Sequence, residues 1–165
     1  MRASRTARVS AAVSLILLSL SCFAQTATPP FKATCQNVGV GAQEPLGDRE
    51  GHTLSVASYS CTSVGGALDG TVSAGTNIWE VDKGAGVAVT GNGVIRKPGM
   101  MVVYVVTEGS YALTMADGKV TGFSGTAKGV YKLATGSASS LSGKAYTAKF
   151  RSIERGQFVI ETTLD

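Results

Sequence analysis

The sequence predicts an all-β chain and, within that class, a small antiparallel β-barrel of about eight strands. Three observations carry the prediction. Apolar residues alternate with polar ones or come in short β-branched runs, with almost no helical periodicity. Glycine breaks the pattern at intervals of about eight to twelve residues. All 21 glycines lie beyond residue 24 of the 165, about twice the usual share of roughly 7%, which implies many tight turns, bulges and bends within strands.

The first element is not part of that fold. Arg2, Arg5 and Arg8 form a basic region leading into the apolar run Val13 to Leu20, too short to span a bilayer, and the whole reads as a secretory signal peptide over residues 1–24. Cleavage between Ala24 and Gln25 would leave a flexible leader, residues 25–30, and a single domain, residues 31–165. A lipoprotein anchored at Cys22 is the alternative, although Ser19 stands where a lipobox wants leucine. The chain is thus expected to be exported, to the periplasm or beyond. Most of its formal charge of +4 leaves with the three leader arginines, so the basic balance gives no reason to expect a nucleic-acid partner. Cys35 and Cys61 remain as an even pair in an exported chain and are expected to form a disulfide, stabilising the fold by roughly 3 kcal/mol through the loop it closes.

Turn chemistry divides the domain. The stretches LGDREG (46–51), VGGALDG (64–70), DKGAG (82–86), RKPG (96–99), ADG (116–118) and ERGQ (154–157) each offer a residue suited to positive or preset φ. Strands are expected between them near 31–40, 52–62, 68–73, 76–82, 87–96, 100–108, 110–116, 119–124, 129–134, 144–153 and 157–164. Some of these must merge to give about eight, and closure would remove the exposed edges. Met100 to Val106 is apolar on both faces, which implies one face in a lumen and the other covered by a further element or a second subunit. An outer-membrane barrel fits poorly: aromatic content is 7% and the chain ends FVIETTLD rather than on an aromatic residue.

Motif spacing excludes several chemistries. The stretch SGTAKGVYKLATGSASSLSGKAY, Ser124 to Tyr146, sets lysines beside glycines as a phosphate loop would. Six residues, however, separate Gly136 from Gly143, and Ala145 follows Lys144 where a hydroxyl is needed. The dinucleotide fingerprint is missing as well. His52, the only histidine, lies in the turn-rich DREGHTL segment and reads as a surface or strand-start residue, so a Ser-His-Asp triad is not expected, a His-rich zinc site cannot be assembled, and no metal or cofactor is expected.

Acid–base work would then fall to carboxylates and tyrosines. Alternation sets Trp79 and Glu80 on opposite faces of one strand, so a core-facing Trp79 leaves Glu80 in water, and the reverse would bury the carboxylate. The same alternation sets Tyr104 and Glu108 on one face. Glu108 ends the most apolar strand, where desolvation would raise its pKa, and with Tyr104 and Tyr111 it forms the candidate catalytic group. Trp79, Glu80, Phe123 and Tyr131 are the candidate ligand-binding residues. Aromatics recur about once per strand, which is ordinary core packing unless part of the set lines a cavity.

The run GTAKGVYKLATGSASSLSGKAY, following TEGSYALTMADGKVTGFS, resembles the glycine-punctuated strand pairs of the allene oxide cyclase and dirigent-type barrels. The likeness covers roughly Trp79 to Asp165. Gly125-Thr126-Ala127-Lys128-Gly129-Val130-Tyr131 departs from the spacing of their G-x-G-x-[FY] pattern, and no catalytic residue carries over. The resemblance implies an eight-stranded antiparallel barrel, in outline also lipocalin-like, with a lumen for a small hydrophobic or phenolic molecule. Three readings stand: an exported barrel binding such a ligand, an isomerase or cyclase confining an apolar substrate, and a non-catalytic envelope protein that forms homo-oligomers through the outer face of Val102 to Val106.

Overall fold

In the computed structural model, which describes residues 30–39, 41–154 and 156–165, nine strands form one antiparallel sheet that closes on itself. They are β1 (Phe31–Asn37), β2 (Ala42–Pro45), β3 (His52–Val64), β4 (Val72–Asp82), β5 (Ala85–Lys97), β6 (Met100–Ala116), β7 (Lys119–Gly136), β8 (Ala145–Glu154) and β9 (Gln157–Leu164). Neighbours in sequence pair around the wall from β3 to β9. β1 then pairs with β9 on one side and with β3 on the other, which closes an eight-stranded barrel. β2 is an extra strand on the first half of β3, with Ala42 opposite Val56 and Pro45 opposite Thr53. The expected signal peptide and Cys22 lie outside the described residues. No helix among the described residues is long and apolar enough to cross a membrane.

The tight hairpins follow from local chemistry. Lys83-Gly84 joins β4 to β5 and Asp117-Gly118 joins β6 to β7. All four residues have positive φ, the condition of a type I′ turn, whose twist matches that of the strands it joins. At the opposite end of the barrel two short 3-10 turns, Gly66–Leu68 and Ser139–Leu141, occupy the longer connections. Leu68, Ala138 and Leu141 are buried with Ile95, Met100 and Val102. That end is therefore packed shut, at roughly 1.5–3 kcal/mol for each large apolar side chain removed from water.

Cys35 and Cys61 are direct cross-strand partners on β1 and β3, and they are bonded with S–S 2.06 Å. The expected disulfide thus lies across the seam that closes the barrel, and both sulfurs are buried.

Several strands run longer than the sequence pattern implied. The expected pair 100–108 and 110–116 is the single strand β6, 119–124 and 129–134 are both in β7, and β4 takes in 76–82 and the end of 68–73. Gly75, Gly109, Gly125 and Gly129 lie inside strands and lack positive φ, so they are not turns that separate one strand from the next. Gly136 and Gly143, at φ 62° and 78°, do flank the β7–β8 connection. β2 was not foreseen: four exposed residues, AQEP, carry no alternating pattern.

Irregularities in register re-aim the side chains. Val89 is an extra residue where β5 meets β4, and Thr107 is an extra residue where β6 meets β7. A bulge shifts the alternation by one, so residues on either side of it change face. Along β6 the lumen takes Tyr104 and Val106 before the bulge and Tyr111 and Leu113 after it.

Candidate functional site

The lumen is not filled. A cavity of about 250 Å³ remains in the barrel, and all five tyrosines of the sequence line it. The glycines explain why so many rings leave a void. Gly75 and Gly93 are cross-strand partners on β4 and β5, and a Cβ on either would collide with the Tyr104 hydroxyl. Gly129 lies opposite Tyr146, Gly86 opposite Tyr111 and Gly125 opposite Phe150, and in each pair a Cβ on the glycine would overlap the ring or its hydroxyl. Each ring leans over a residue with no side chain and lies along the wall instead of projecting to the axis. The central space stays open as a result.

Two zones divide the lining. Toward the hairpin end lie Trp79, Tyr111, Phe123 and Phe150, with Trp79 edge-on to Tyr111 at 5.1 Å between centroids and Phe123 at 6.3 Å from Phe150. Tyr111, Phe123 and Phe150 are only partly buried, so the cavity is reached from this end and not from the end sealed by Leu68 and Leu141. Deeper lie Tyr59, Tyr104, Tyr131 and Tyr146, all buried. The hydroxyls of Tyr59 and Tyr104 are 2.8 Å apart. Burial pushes the phenols of Tyr104, Tyr131 and Tyr146 well above the ordinary tyrosine value. It raises Tyr59 too, partly offset by the Tyr104 hydroxyl and the nearby Asn77 amide. All four are neutral donors at physiological pH.

No Asp, Glu, Lys, Arg or His is among the residues that line the cavity. Its polar points are hydroxyls and amides, including Ser55, Ser63, Ser73, Thr162 and Asn77. A buried charge without a partner costs several kcal/mol, so this lining favours a neutral occupant.

The structure brings Tyr104, Tyr111, Trp79, Phe123 and Tyr131 together around one space. It leaves both carboxylates outside. Glu80 is 54% exposed on the outer face, where its Oε1 meets His52 Nε2 at 2.9 Å, as expected once Trp79 points inward. Glu108 is 70% exposed and pairs with Lys128 at 3.5 Å, in a shallow outer hollow beside the bulged residues. Simple alternation had set Glu108 on the face of Tyr104. The extra residue Thr107 breaks that alternation, so the desolvation that recommended Glu108 is absent. Val102 and Val106 likewise face inward, which leaves Val103 and Val105 for the outer wall.

Residues missed by sequence reasoning include Tyr59, whose hydroxyl bonds that of Tyr104, and Asn77, which also lines the cavity. Tyr59 had a signal, since it alternates with Cys61 on β3. His52 does start β3, as expected, but it is not a surface residue. Its ring is 7% exposed and lies between Asp48 Oδ1 at 2.6 Å and Glu80 Oε1 at 2.9 Å, while Arg49 joins Asp48 to Asp82. The two carboxylates hold His52 above its ordinary value, against burial and the Arg49 charge, and the His52 hydrogen bond holds Asp48 below its own. This cluster braces the β2–β3 turn against β4. Among the described residues no three of His, Cys, Asp and Glu are grouped as metal ligands.

Neither a family model nor a curated protein matches the chain.

Proposed function

We propose that the protein is an exported carrier or receptor that holds a small, neutral, largely apolar molecule in the barrel lumen. The observation that carries this reading is the cavity of about 250 Å³ with an uncharged, aromatic-rich lining. It exceeds the ~150 Å³ apolar cavity that takes benzene and falls just below the ~300–1,000 Å³ range of ligand pockets, a size suited to a molecule of one or two rings. The disulfide is compatible with an oxidising compartment, and the leader sequence supports export. The resemblance to allene oxide cyclase and dirigent-type barrels agrees with a lumenal ligand and adds no chemistry, because the carboxylate offered for catalysis is outside the lumen.

Native mass spectrometry of the purified, oxidised protein tests the reading. A mass above that of the polypeptide, removed by collisional heating, is the expected result for protein that retains its ligand. For protein stripped of ligand by solvent extraction, Trp79 is the only tryptophan and lines the cavity, so a bicyclic hydrocarbon such as indane should quench its fluorescence saturably at one equivalent. No saturable change would reject the reading. The same spectrum reports subunit number, which bears on self-association through the outer wall, where Met101 and Leu133 are exposed.

A further inference from the structure

Tyr59 and Tyr104 bring two phenolic protons to one mutual bond of 2.8 Å, so one proton is left over whichever way that bond runs. The Asn77 Oδ1 is buried without a partner against Gly91 and Val106, so it does not accept that proton. No carboxylate or imidazole lines the space to accept the spare proton. The Tyr104 hydroxyl is lodged in the notch made by Gly75 and Gly93, the Tyr59 hydroxyl lies against Gly75 as well, and both residues line the cavity. An O–H whose oxygen already accepts hydrogen bonds is polarised into a stronger donor.

We propose that the lumen selects a neutral one- or two-ring molecule bearing a carbonyl oxygen, and that the Tyr59–Tyr104 hydroxyl pair is the feature that reads that oxygen. This rests on the lumen-binding reading above and adds the chemical class of the ligand. The rings lie among Trp79, Tyr111, Phe123 and Phe150, and the carbonyl points to the sealed end. A carboxylate is disfavoured because no cation lines the space to neutralise it. A pure hydrocarbon of the same shape fits but leaves the spare phenolic proton unpaired.

The test compares 1-indanone with indane, which share size and shape and differ by one carbonyl, in titrations followed by Trp79 fluorescence and calorimetry. The wild-type protein is expected to bind 1-indanone about tenfold more tightly than indane. Tyr59→Phe is expected to reduce that preference to less than about twofold by weakening 1-indanone more than indane, whereas a merely structural role for Tyr59 would weaken both alike. Tyr104→Phe, a second variant with less polarisation of Tyr59, is expected to retain part of the preference. Equal binding of the two compounds by the wild type would overturn the proposal while leaving lumen binding intact. A full preference surviving in Tyr59→Phe would overturn the assignment to this pair. Binding of neither compound would remove the lumen-binding reading itself.

Discussion

Gly93→Ala separates two accounts of the glycine content, because they predict effects of opposite sign. If Gly93 were only a permissive residue, alanine would lower the entropy of the unfolded chain and stabilise the protein by about 0.4–1 kcal/mol, since φ at this position is not positive. The structure gives the other sign. A Cβ there would overlap the Tyr104 hydroxyl and the Ala74 carbonyl oxygen, with the Tyr104 Cζ 2.5 Å away. Part of the obstacle is backbone, so the methyl cannot be absorbed by a side-chain rotation alone. Overpacking of this kind costs about 1–3 kcal/mol, and displacing Tyr104 breaks its bond to Tyr59, about 1 kcal/mol more. After the entropy gain the net loss is about 2 kcal/mol. Urea unfolding followed by Trp79 fluorescence reads this as a lowered midpoint at unchanged slope. In a Tyr104→Leu background the added methyl meets no ring, and the cost of Gly93→Ala should fall by at least about 1 kcal/mol, a coupling expected of side chains in contact. A Gly93→Ala protein as stable as the wild type or more so would refute the socket argument and the explanation it gives for the open lumen.

Replacing Cys35 and Cys61 together by serine should lower stability by about 3 kcal/mol, read from the urea midpoint, because the bridge closes a separation of 26 residues across the barrel seam. His52 is the sole histidine, so its imidazole can be followed by NMR without assignment. Its midpoint should lie above the ordinary 6.5 because Asp48 and Glu80 favour the charged ring, and a midpoint at or below 6.5 would contradict the ion-pair geometry. The sign for stability follows. The His52 contribution is fully present below about pH 6.5 and is lost as pH rises through the higher folded value, while that of Asp48 is present above about pH 3.8 and is lost as pH falls through its lower folded value. The cluster should therefore brace the β2–β3 turn best between these limits, and His52→Gln should flatten the profile. Glu108→Gln should change neither stability, beyond about 0.5 kcal/mol, nor the binding of 1-indanone, because the carboxylate is exposed on the outer wall.

The legible parts of the sequence were those governed by local chemistry. Asp117-Gly118 and the glycine in DKGAG announce their hairpins because few other residue pairs accept positive φ twice in succession. The disulfide was legible from an even pair of cysteines, and the eight-strand closure from strand count. The merged strands were not, because Gly75, Gly125 and Gly129 look like turn residues until the ring that covers each is known, and that ring comes from another strand. Glu108 shows the same limit from another direction. Nothing in VVTEGS marks Thr107 as an extra residue; the bulge follows from pairing with β7, and one unpaired residue moves the carboxylate from the lumen to water. β2 carries no pattern because it borrows its hydrogen bonds from β3.

The central claim is that the barrel encloses a usable, neutral cavity, and filling that cavity tests it most directly. Ala57 lines it from β3, and Ala57→Phe would place a ring in the open space. Calorimetric titration with 1-indanone should give one saturable site in the wild type and none in a folded Ala57→Phe protein. Unchanged binding in the filled variant would contradict the account.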